Sequence, residues 1–283
     1  MFTMSYYSIL GLGLEPFSTS PDPEFFYESR EHHAALVRLM IDIHLKRGFS
    51  VLLGDVGMGK TTLSRKLAQM LKEKSDIEFH MILDPTYQTE ELFWESLIRA
   101  FKIDIRDPAP TILDFKHELN HYLFRRGVEE NKNVVLLIDE AQKLNVLSLE
   151  ILRVLLNYET NERKLLQLIL IGQMELLPRI CSIRNLWDRI SLKYVLNPLD
   201  LNETTELIDF RLKKAGYQFG PPFFTEEAVK EIHQHTQGYP RRISMLCHHA
   251  LKMLMVTDKK MVDGTMIKEI IEGELGILSH NPY

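Results

Sequence analysis

The sequence has few cysteines, no long apolar run and no excess of positive charge. Only Cys181 and Cys247 occur among 283 residues, and neither lies in a C-x-x-C pair, which excludes a disulfide framework and a cysteine-based zinc site. No run approaches the roughly 18 apolar residues of a membrane helix. The opening stretch, residues 1–14, lacks the cationic start of a signal peptide. We therefore expect a cytoplasmic protein with no integral membrane segment.

Charge and composition set further limits. Asp and Glu number 39 against 34 Lys and Arg, so the net charge is -5 and there is no overall positive field to attract nucleic acid. Only a local basic strip could serve that purpose. Hydrophobic residues at 45%, with 14 Gly and 12 Pro, match globular proteins and exclude a disordered or collagen-like chain. The length suits one large domain or a main domain with a small companion.

Short apolar runs alternate with helical patterns up to residue 196. The runs predict strands at 49–53, 77–83, 134–138, 165–171 and 190–196. The helical spacing predicts helices at 28–46, 60–74, 89–101, 111–130 and 148–158, with a short one before the last strand. This alternation is typical of an α/β fold in which helices flank a parallel sheet and the crossovers are right-handed.

Only helical patterns remain after residue 197. They predict helices at 203–215, 225–236, 240–256 and 264–273. We therefore predict a first domain at 1–197, which includes an N-terminal strap and helix, and a small all-helical lid domain at 198–275. Residues 276–283 are expected to be a frayed tail.

A phosphate-binding motif follows the first predicted strand. Residues 54–61 read Gly-Asp-Val-Gly-Met-Gly-Lys-Thr and match G-x-x-x-x-G-K-[ST] between a strand and a helix. Such a loop turns backbone N–H groups toward phosphate oxygens, Lys60 reaches the β- and γ-phosphates, and Thr61 offers its hydroxyl to Mg²⁺. The expected nucleotide-binding residues are Gly54, Asp55, Val56, Gly57, Met58, Gly59, Lys60, Thr61 and Thr62.

Two carboxylates follow the most apolar predicted strand, at 134–138. Asp139 and Glu140 stand where ligands of open parallel sheets bind. Asp139 is expected to hold Mg²⁺, and Glu140 to polarise the attacking water as a general base. With the phosphate loop, they predict hydrolysis of a nucleotide, although a small-molecule kinase is an alternative. Adenine is preferred because 131–134 reads Asn-Lys-Asn-Val and lacks the acid of the guanine-reading tetrad.

Several motifs, in this order, resemble those of AAA+ ATPases. They are the phosphate loop, Asp-Glu-Ala-Gln at 139–142, Ile-Gly-Gln at 171–173, Leu-Trp-Asp-Arg-Ile at 186–190 and Gly-Tyr-Pro-Arg-Arg-Ile at 238–243. More narrowly, the chain resembles the ExeA/GspA group associated with general secretion, whose relatives include the TnsC and TniB transposition ATPases. The resemblance spans about residues 6–272. It implies ATP and Mg²⁺ as ligands and self-assembly into a ring, helix or filament.

The resemblance also implies roles for three more side chains. Gln173 lies at the sensor-1 position, where a polar side chain reads the γ-phosphate, and Arg241 matches the sensor-2 arginine at the start of a lid helix. Arg189 resembles the arginine finger that reaches the nucleotide of a neighbouring subunit, a task suited to a planar, permanently charged group. Arg184 and Arg179 compete with Arg189 for that role.

The opening segment at 15–27 resembles the N-terminal signature of the same group. Residues 21–27 are expected either to cover the adenine or to anchor the chain as an aromatic strap, and both roles stay open. The separate lid and the candidate arginine finger lead us to expect an ATP-controlled assembly switch. In it ATP lies between core and lid, Arg189 of a neighbouring copy completes the site, and hydrolysis loosens the interface.

Two outputs of ATP hydrolysis stay open. In one, the protein regulates transposition by binding double-stranded DNA and recruiting a transposase. In the alternative, it is a secretion or pilus-assembly ATPase that acts on protein partners. We expect the missing membrane segment to count against secretion, since secretion members usually carry one. A third possibility is a module that binds ATP with negligible turnover.

Candidate DNA contacts are cations that an assembly could align, although scattered surface charges explain each of them as well. They are Lys102, Arg106, Lys116, Arg125, Arg126, Arg153 and Arg163. Residues 117–121 also read His-Glu-Leu-Asn-His, the H-E-x-x-H pattern of zinc proteases. A protease needs a third ligand, and Glu140 is already assigned to the nucleotide, so a solvated helix face is preferred.

Overall fold

The computed structural model describes residues 5–20, 22–105, 109–161, 163–218, 220–257 and 259–273, and the backbone alone of 274–279. The chain divides into two compact units. The sheet unit comprises Arg30–Val56 and Lys60–Leu196. The helical unit comprises Met1–Ser29, Gly57–Gly59 and Asn197–Tyr283.

The sheet unit is built on five parallel strands. They are β1 (Phe49–Leu53), β2 (Ile77–Ile82), β3 (Asn133–Ile138), β4 (Leu166–Gly172) and β5 (Leu192–Val195), and their order in the sheet is β2-β3-β4-β1-β5. Leu53 lies beside both Gly172 and Val195, and Ile138 beside Ile82. The carboxyl ends of the strands therefore meet at one edge, where the residues after β1, β3 and β4 come together.

Burial explains the apolar runs. Every residue of β1, β3 and β4 is buried, because neighbouring strands and packed helices cover these three inner strands. The edge strand β5 alternates instead between half-buried and exposed residues. The α/β prediction of a parallel sheet flanked by helices is confirmed.

Helices account for most of the remaining described residues. They are α1 (Tyr6–Ile9), α2 (Arg30–His44), α3 (Lys60–Lys72), α4 (Glu90–Ala100), α5 (Ile112–Phe124), α6 (Val146–Leu155), α7 (Leu176–Ser182), α8 (Arg184–Trp187), α9 (Leu201–Lys214), α10 (Glu226–Thr236), α11 (Pro240–Thr257) and α12 (Gly264–Ser279). Within the ranges that the structure describes, none of them has the length and apolarity to cross a bilayer.

Helix starts follow local hydrogen-bonding rules. Thr111 and Asp114 form a reciprocal capping box at the start of α5, and Asp200 and Glu203 form another at the start of α9. Each pair satisfies backbone N–H groups that lack a partner within the helix. These caps fix where both helices begin.

Two helical expectations differ from the structure. The predicted helix at 111–130 changes after Phe124 into a π-helical segment, Arg125–Glu129. Buried Gly127 lies in this segment, and a Cβ there would come within 3.1 Å of the Leu165 side chain. The backbone of the π-helical segment therefore packs closely against Leu165. The backbone of α12 continues to Ser279, beyond the frayed end expected after residue 275.

The N-terminal segment packs within the helical unit, whereas the sequence analysis placed it in the first domain. Phe17 is buried there and meets Phe224 edge to face. The Arg211 guanidinium donates to the carbonyl oxygen of Ser18 at 2.9 Å. This aromatic contact and the charged hydrogen bond explain why the segment belongs to the helical unit's core.

Candidate functional site

The phosphate loop joins β1 to α3. The Lys60 ammonium is buried and donates to the carbonyl oxygens of Gly54 and Asp55, each at 2.8 Å. Burial lowers the pKa of Lys60, although nearby carboxylates oppose that shift, those of Glu140 and Asp139 most strongly. The loop's own carbonyls therefore hold this cation where phosphate oxygens could replace them.

Glycine is required at two points of the loop. Gly57 and Gly59 both have φ of 86°, in the region that favours glycine. A Cβ on Gly57 would lie 2.9 Å from the Cβ of Arg241, within the helical unit. The backbone can therefore make this turn only without side chains at these positions.

Asp139 is held rigidly at the end of β3. Its side chain is buried, Oδ1 accepts from the backbone N–H of Glu140 at 2.9 Å, and Oδ2 accepts from the Ser64 hydroxyl at 2.8 Å. Burial, the largest influence, raises the pKa of Asp139, and the hydrogen bond from Ser64 opposes it. Ser64 lies in the first turns of α3, and its hydroxyl is 2.9 Å from the Thr61 carbonyl oxygen.

Ser64 was not among the site residues predicted from the sequence. The signal that could have found it is its spacing, because Ser64 lies three residues after Thr61 and four after Lys60, on the same face of the helix. The contact joins α3, which follows the phosphate loop, to the carboxylate expected to serve Mg²⁺.

Glu140 and Gln173 are joined through a third side chain. Glu140 is half-buried and has a left-handed backbone, with φ of 52°. The Gln142 amide donates from Nε2 to Glu140 Oε2 at 2.6 Å and accepts at Oε1 from the backbone N–H of Gln173 at 3.0 Å. Gln142 therefore links the carboxylate of the general-base candidate to the backbone of the sensor-1 candidate at the carboxyl edge of the sheet.

The donor set fits a nucleotide with Mg²⁺. The Thr61 hydroxyl and the Asp139 carboxylate are the hard oxygen ligands that Mg²⁺ prefers. A glycine-containing turn followed by a helix start and a buried lysine suits phosphate. The residues that the sequence analysis selected for both ligands therefore have the right chemistry.

The three finger candidates differ in their surroundings. Arg189 is half-buried and donates to the carbonyl oxygen of Arg153 at 3.1 Å. Arg179 donates to the carbonyl oxygen of Gln142 at 2.7 Å, so it supports the turn after β3. Arg184 is exposed at the start of α8. Arg189 and Arg179 therefore already donate hydrogen bonds to backbone carbonyls of their own chain.

Arg241 lies near the start of α11, as the sequence analysis expected for sensor 2. Its side chain is exposed, and its backbone N–H donates to the carbonyl oxygen of Gly57 at 3.2 Å, a contact within the helical unit. In the aromatic strap, Glu24 pairs with Lys214. Pro21 lies outside the described residues.

Most cations proposed for DNA contact pair with acids of the same chain. Lys116 pairs with Glu90, Arg125 and Arg126 with Glu130, and Arg153 with Glu150. Arg163 donates to the Asn131 side chain and to the Gly127 carbonyl oxygen. Lys102 is exposed, and Arg106 lies outside the described residues. Pairing leaves these groups less charge to offer a phosphate backbone.

The H-E-x-x-H pattern lies on α5. The rings of His117 and His121 stack on an exposed part of that helix with their centroids 6.0 Å apart. In the part of the chain that the structure describes, no three His, Cys, Asp or Glu side chains are grouped to hold a metal ion. The third ligand that a zinc protease requires is therefore absent from the described residues.

Known proteins resemble both the sequence and the fold. Residues 43–180 match the family described as AAA domain. Over 248 residues the chain is 38% identical to general secretion pathway protein A of Aeromonas hydrophila. The aligned region covers 87% of this chain and 44% of that protein. The chain thus spans less than half of this relative.

Two solved structures share the fold. The ORC2 protein of Aeropyrum pernix, in ADPNP–ADP complexes, has a TM-score of 0.64 at 16% identity, covering 91% of this chain and 71% of its own. The Drosophila ORC bound to DNA has a TM-score of 0.62 at 18% identity, and the match covers 94% of this chain and 65% of the ORC chain. At these identities the likeness establishes the fold alone.

Proposed function

We propose that this chain, whose residues 43–180 match the AAA domain family, binds ATP with Mg²⁺ and hydrolyses it to ADP and phosphate. One observation carries this proposal. The buried Asp139 and the adjoining Glu140 lie at the end of β3, and Ser64 ties Asp139 to the helix that begins with Lys60. A carboxylate for Mg²⁺, a base for water and a phosphate-binding turn are what phosphoryl transfer to water requires.

Binding would use the residues of the loop. The N–H groups of residues 54–62 and the Lys60 ammonium would hold the phosphates, with Lys60 exchanging its loop carbonyls for phosphate oxygens. Thr61 and Asp139 would hold Mg²⁺, which neutralises charge on the phosphate oxygens when bound. The resemblance to AAA+ ATPases supports γ-phosphate contacts for Gln173 and Arg241.

The chemical step would use Glu140 as the base. Its carboxylate takes a proton from water while the water oxygen forms a bond to the γ-phosphorus. The bond from that phosphorus to the bridging oxygen breaks, and its electron pair leaves with ADP. Gln142 donates to Glu140 Oε2, so we assign the proton transfer to the other carboxylate oxygen, Oε1.

Glu140→Gln tests the step. The variant should bind Mg-ATP within about twofold of wild type but release phosphate about 100-fold more slowly or worse, because an amide cannot take the proton. It should also accumulate ATP-bound oligomers. Glu73→Gln, at an exposed position, is the matched control. Equal phosphate release by both variants would remove Glu140 from the mechanism.

We also propose that assembly completes the site with Arg189 from a neighbouring copy. The single described hydrogen bond of its guanidinium, to the Arg153 carbonyl oxygen, can be exchanged for a contact with phosphate. Arg189→Ala should assemble with ATP and lose hydrolysis, whereas Arg184→Ala should keep it. Normal turnover by the assembled Arg189→Ala protein would show that the finger assignment is wrong.

Two outputs of this ATPase rest on different observations. The 38% identity to general secretion pathway protein A supports action on secretion proteins, and the missing membrane segment does not count against it because the chain spans 44% of that relative. The fold shared with a DNA-bound ORC supports DNA binding. The resemblance to transposition ATPases supports the narrower role of a transposition regulator that recruits a transposase.

Retention of duplex DNA at low salt with a non-hydrolysable ATP analogue separates the outputs. The DNA output predicts retention that added salt abolishes. It also predicts weaker retention for Lys102→Glu than for Lys116→Glu, because Lys102 is exposed whereas Lys116 already pairs with Glu90. No retention by wild type would leave the secretion output.

A further inference from the structure

Gln142 occupies a position between the base candidate and the neighbouring strand. Its Nε2 donates to Glu140 Oε2 at 2.6 Å, and its Oε1 accepts from the Gln173 N–H at 3.0 Å. A carboxylate only accepts hydrogen bonds and a backbone N–H only donates, so the amide can face these partners in one orientation. The nitrogen and the oxygen of the Gln142 amide are thereby each hydrogen-bonded to a different partner.

The surroundings are shaped for this amide. A Cβ on Gly172, the last residue of β4, would lie 3.1 Å from both the backbone nitrogen and Oε1 of Gln142, so glycine makes the close approach possible. On the other side, Arg179 of α7 donates to the Gln142 carbonyl oxygen at 2.7 Å. The turn after β3 is therefore fastened to β4 and α7 through one residue.

Glu140 needs such support. Its left-handed φ of 52° costs a residue with a side chain about 1–2 kcal/mol, and such conformations persist only where the surroundings over-determine them. A glutamate also has several side-chain rotamers, of which few direct the carboxylate to one water. The charge-assisted hydrogen bond from Gln142 selects among them.

We propose that Gln142 is a positioning residue for ATP hydrolysis, fixing the Glu140 carboxylate and tying its direction to the backbone at Gln173. The inference rests on the proposed ATPase function. A shift at the end of β4 would then reach the base directly through the amide. The described hydrogen bonds of Gln142 go to Glu140, to the Gln173 N–H and to Arg179, none of which lies in the phosphate loop, so Gln142 should act on turnover and leave nucleotide affinity unchanged.

Gln142→Met tests this separation. Methionine has a similar length and volume but offers neither hydrogen bond. Turnover number should fall roughly 10- to 100-fold, the cost of misplacing a catalytic group by about 1 Å, with the dissociation constant for Mg-ATP within about twofold of wild type. Gln69→Met, at an exposed position on α3, is the control and should match wild type. Unchanged turnover, or an equal loss of affinity and turnover, would overturn the proposal.

Gln142→Glu gives a second readout that a merely structural role would not move. The introduced carboxyl keeps an acceptor for the Gln173 N–H but repels Glu140 when ionised, whereas its protonated form can donate again. The ratio of variant to wild-type turnover should therefore rise as the pH falls from about 8 to about 6. A ratio that stays constant over this range would contradict the positioning role.

Wild-type turnover separates the two possible failures. If the wild-type chain releases no phosphate from Mg-ATP, the proposed function and this inference fall together. If wild type turns over and Gln142→Met does so equally well, only the inference falls.

Discussion

The two units differ in what their buried polar groups do. In the sheet unit, the buried charges of Lys60 and Asp139 converge on the carboxyl edge of the sheet, beside Glu140 and Gln173. In the helical unit, the half-buried Arg211 donates to backbone carbonyls of the N-terminal segment. Convergent charges favour a ligand and chemistry, whereas dispersed groups bonded to backbone favour structure. The comparison predicts that substitutions at the sheet edge change activity and those in the helical core change stability.

Lys60→Ala should have the largest effect. Removing the ammonium takes away the positive charge expected at the β- and γ-phosphates, so Mg-ATP binding should weaken by about 100-fold or more and hydrolysis should be lost. A fluorescent ATP analogue measures the binding. Lys72→Ala, exposed at the end of the same helix, should bind as wild type does. Equal binding by both variants would contradict the claim that the buried charge of Lys60 serves ligand binding.

Phe17→Ala should instead destabilise the helical unit. The change opens a cavity beside Phe224 and should cost about 3–5 kcal/mol of unfolding free energy, measured by urea titration. Ile9→Ala, at a side chain 56% exposed, should cost less than about 1 kcal/mol. A small effect of Phe17→Ala would show that the N-terminal segment does not belong to that core.

A smaller effect is a pH dependence of the free energy of unfolding, caused by protonation of His80. The buried ring bonds to the Ala100 carbonyl oxygen at 2.9 Å, which only accepts, so Nδ1 carries the proton and Nε2 accepts from the Tyr122 hydroxyl at 3.0 Å. Burial lowers the pKa of His80 from 6.5 and raises that of Tyr122 to about 12. The folded state therefore favours the neutral ring.

This contribution is fully present above pH 6.5, where the unfolded chain is also neutral at this position, and is lost as the pH falls through the lowered pKa of the folded state. Unfolding free energies at about pH 8 and about pH 5.5 measure it. His80→Gln should reduce the difference between the two, and His117→Gln, exposed on α5, should not. Tyr122→Phe should cost about 1–3 kcal/mol, because Nε2 loses its donor. An equal pH difference in His80→Gln and wild type would contradict the assignment.

The smallest expected effect concerns zinc. Purified protein should contain well under one zinc per chain, and a chelator should leave phosphate release unchanged after Mg²⁺ is restored. His117→Ala should behave as wild type because the ring is exposed. One tightly bound zinc per chain, lost in that variant, would favour the metal-binding interpretation of H-E-x-x-H.

The elements that patterns predicted best are those whose burial decides their conformation. The apolar run at 49–53 coincides with β1, and the run at 134–138 falls one residue short of β3. The strand predicted at 190–196 is longer than β5. Its end residues Ile190 and Leu196 are buried, and Leu196 still donates its backbone N–H to the carbonyl oxygen of Leu53 at 2.8 Å. The π-helical segment and the strand order depend on tertiary contacts that no local pattern contains.

The same division holds for the site. The phosphate loop and the Asp139-Glu140 pair were predictable because glycine, lysine and carboxylates at fixed spacing have a specific chemistry. Ser64 and Gln142 were not assigned roles. Each of them makes a hydrogen bond to a residue distant in sequence, which exists only once β3, β4 and α3 are assembled.

Phosphate release from Mg-ATP, measured for wild type and Glu140→Gln at equal ATP saturation, tests the central claim most directly. We predict steady release by wild type and about 100-fold slower release by Glu140→Gln, with both proteins binding ATP. Bound ATP without release by wild type, or equal release by the two proteins, would contradict a hydrolytic site at the carboxyl edge of the sheet.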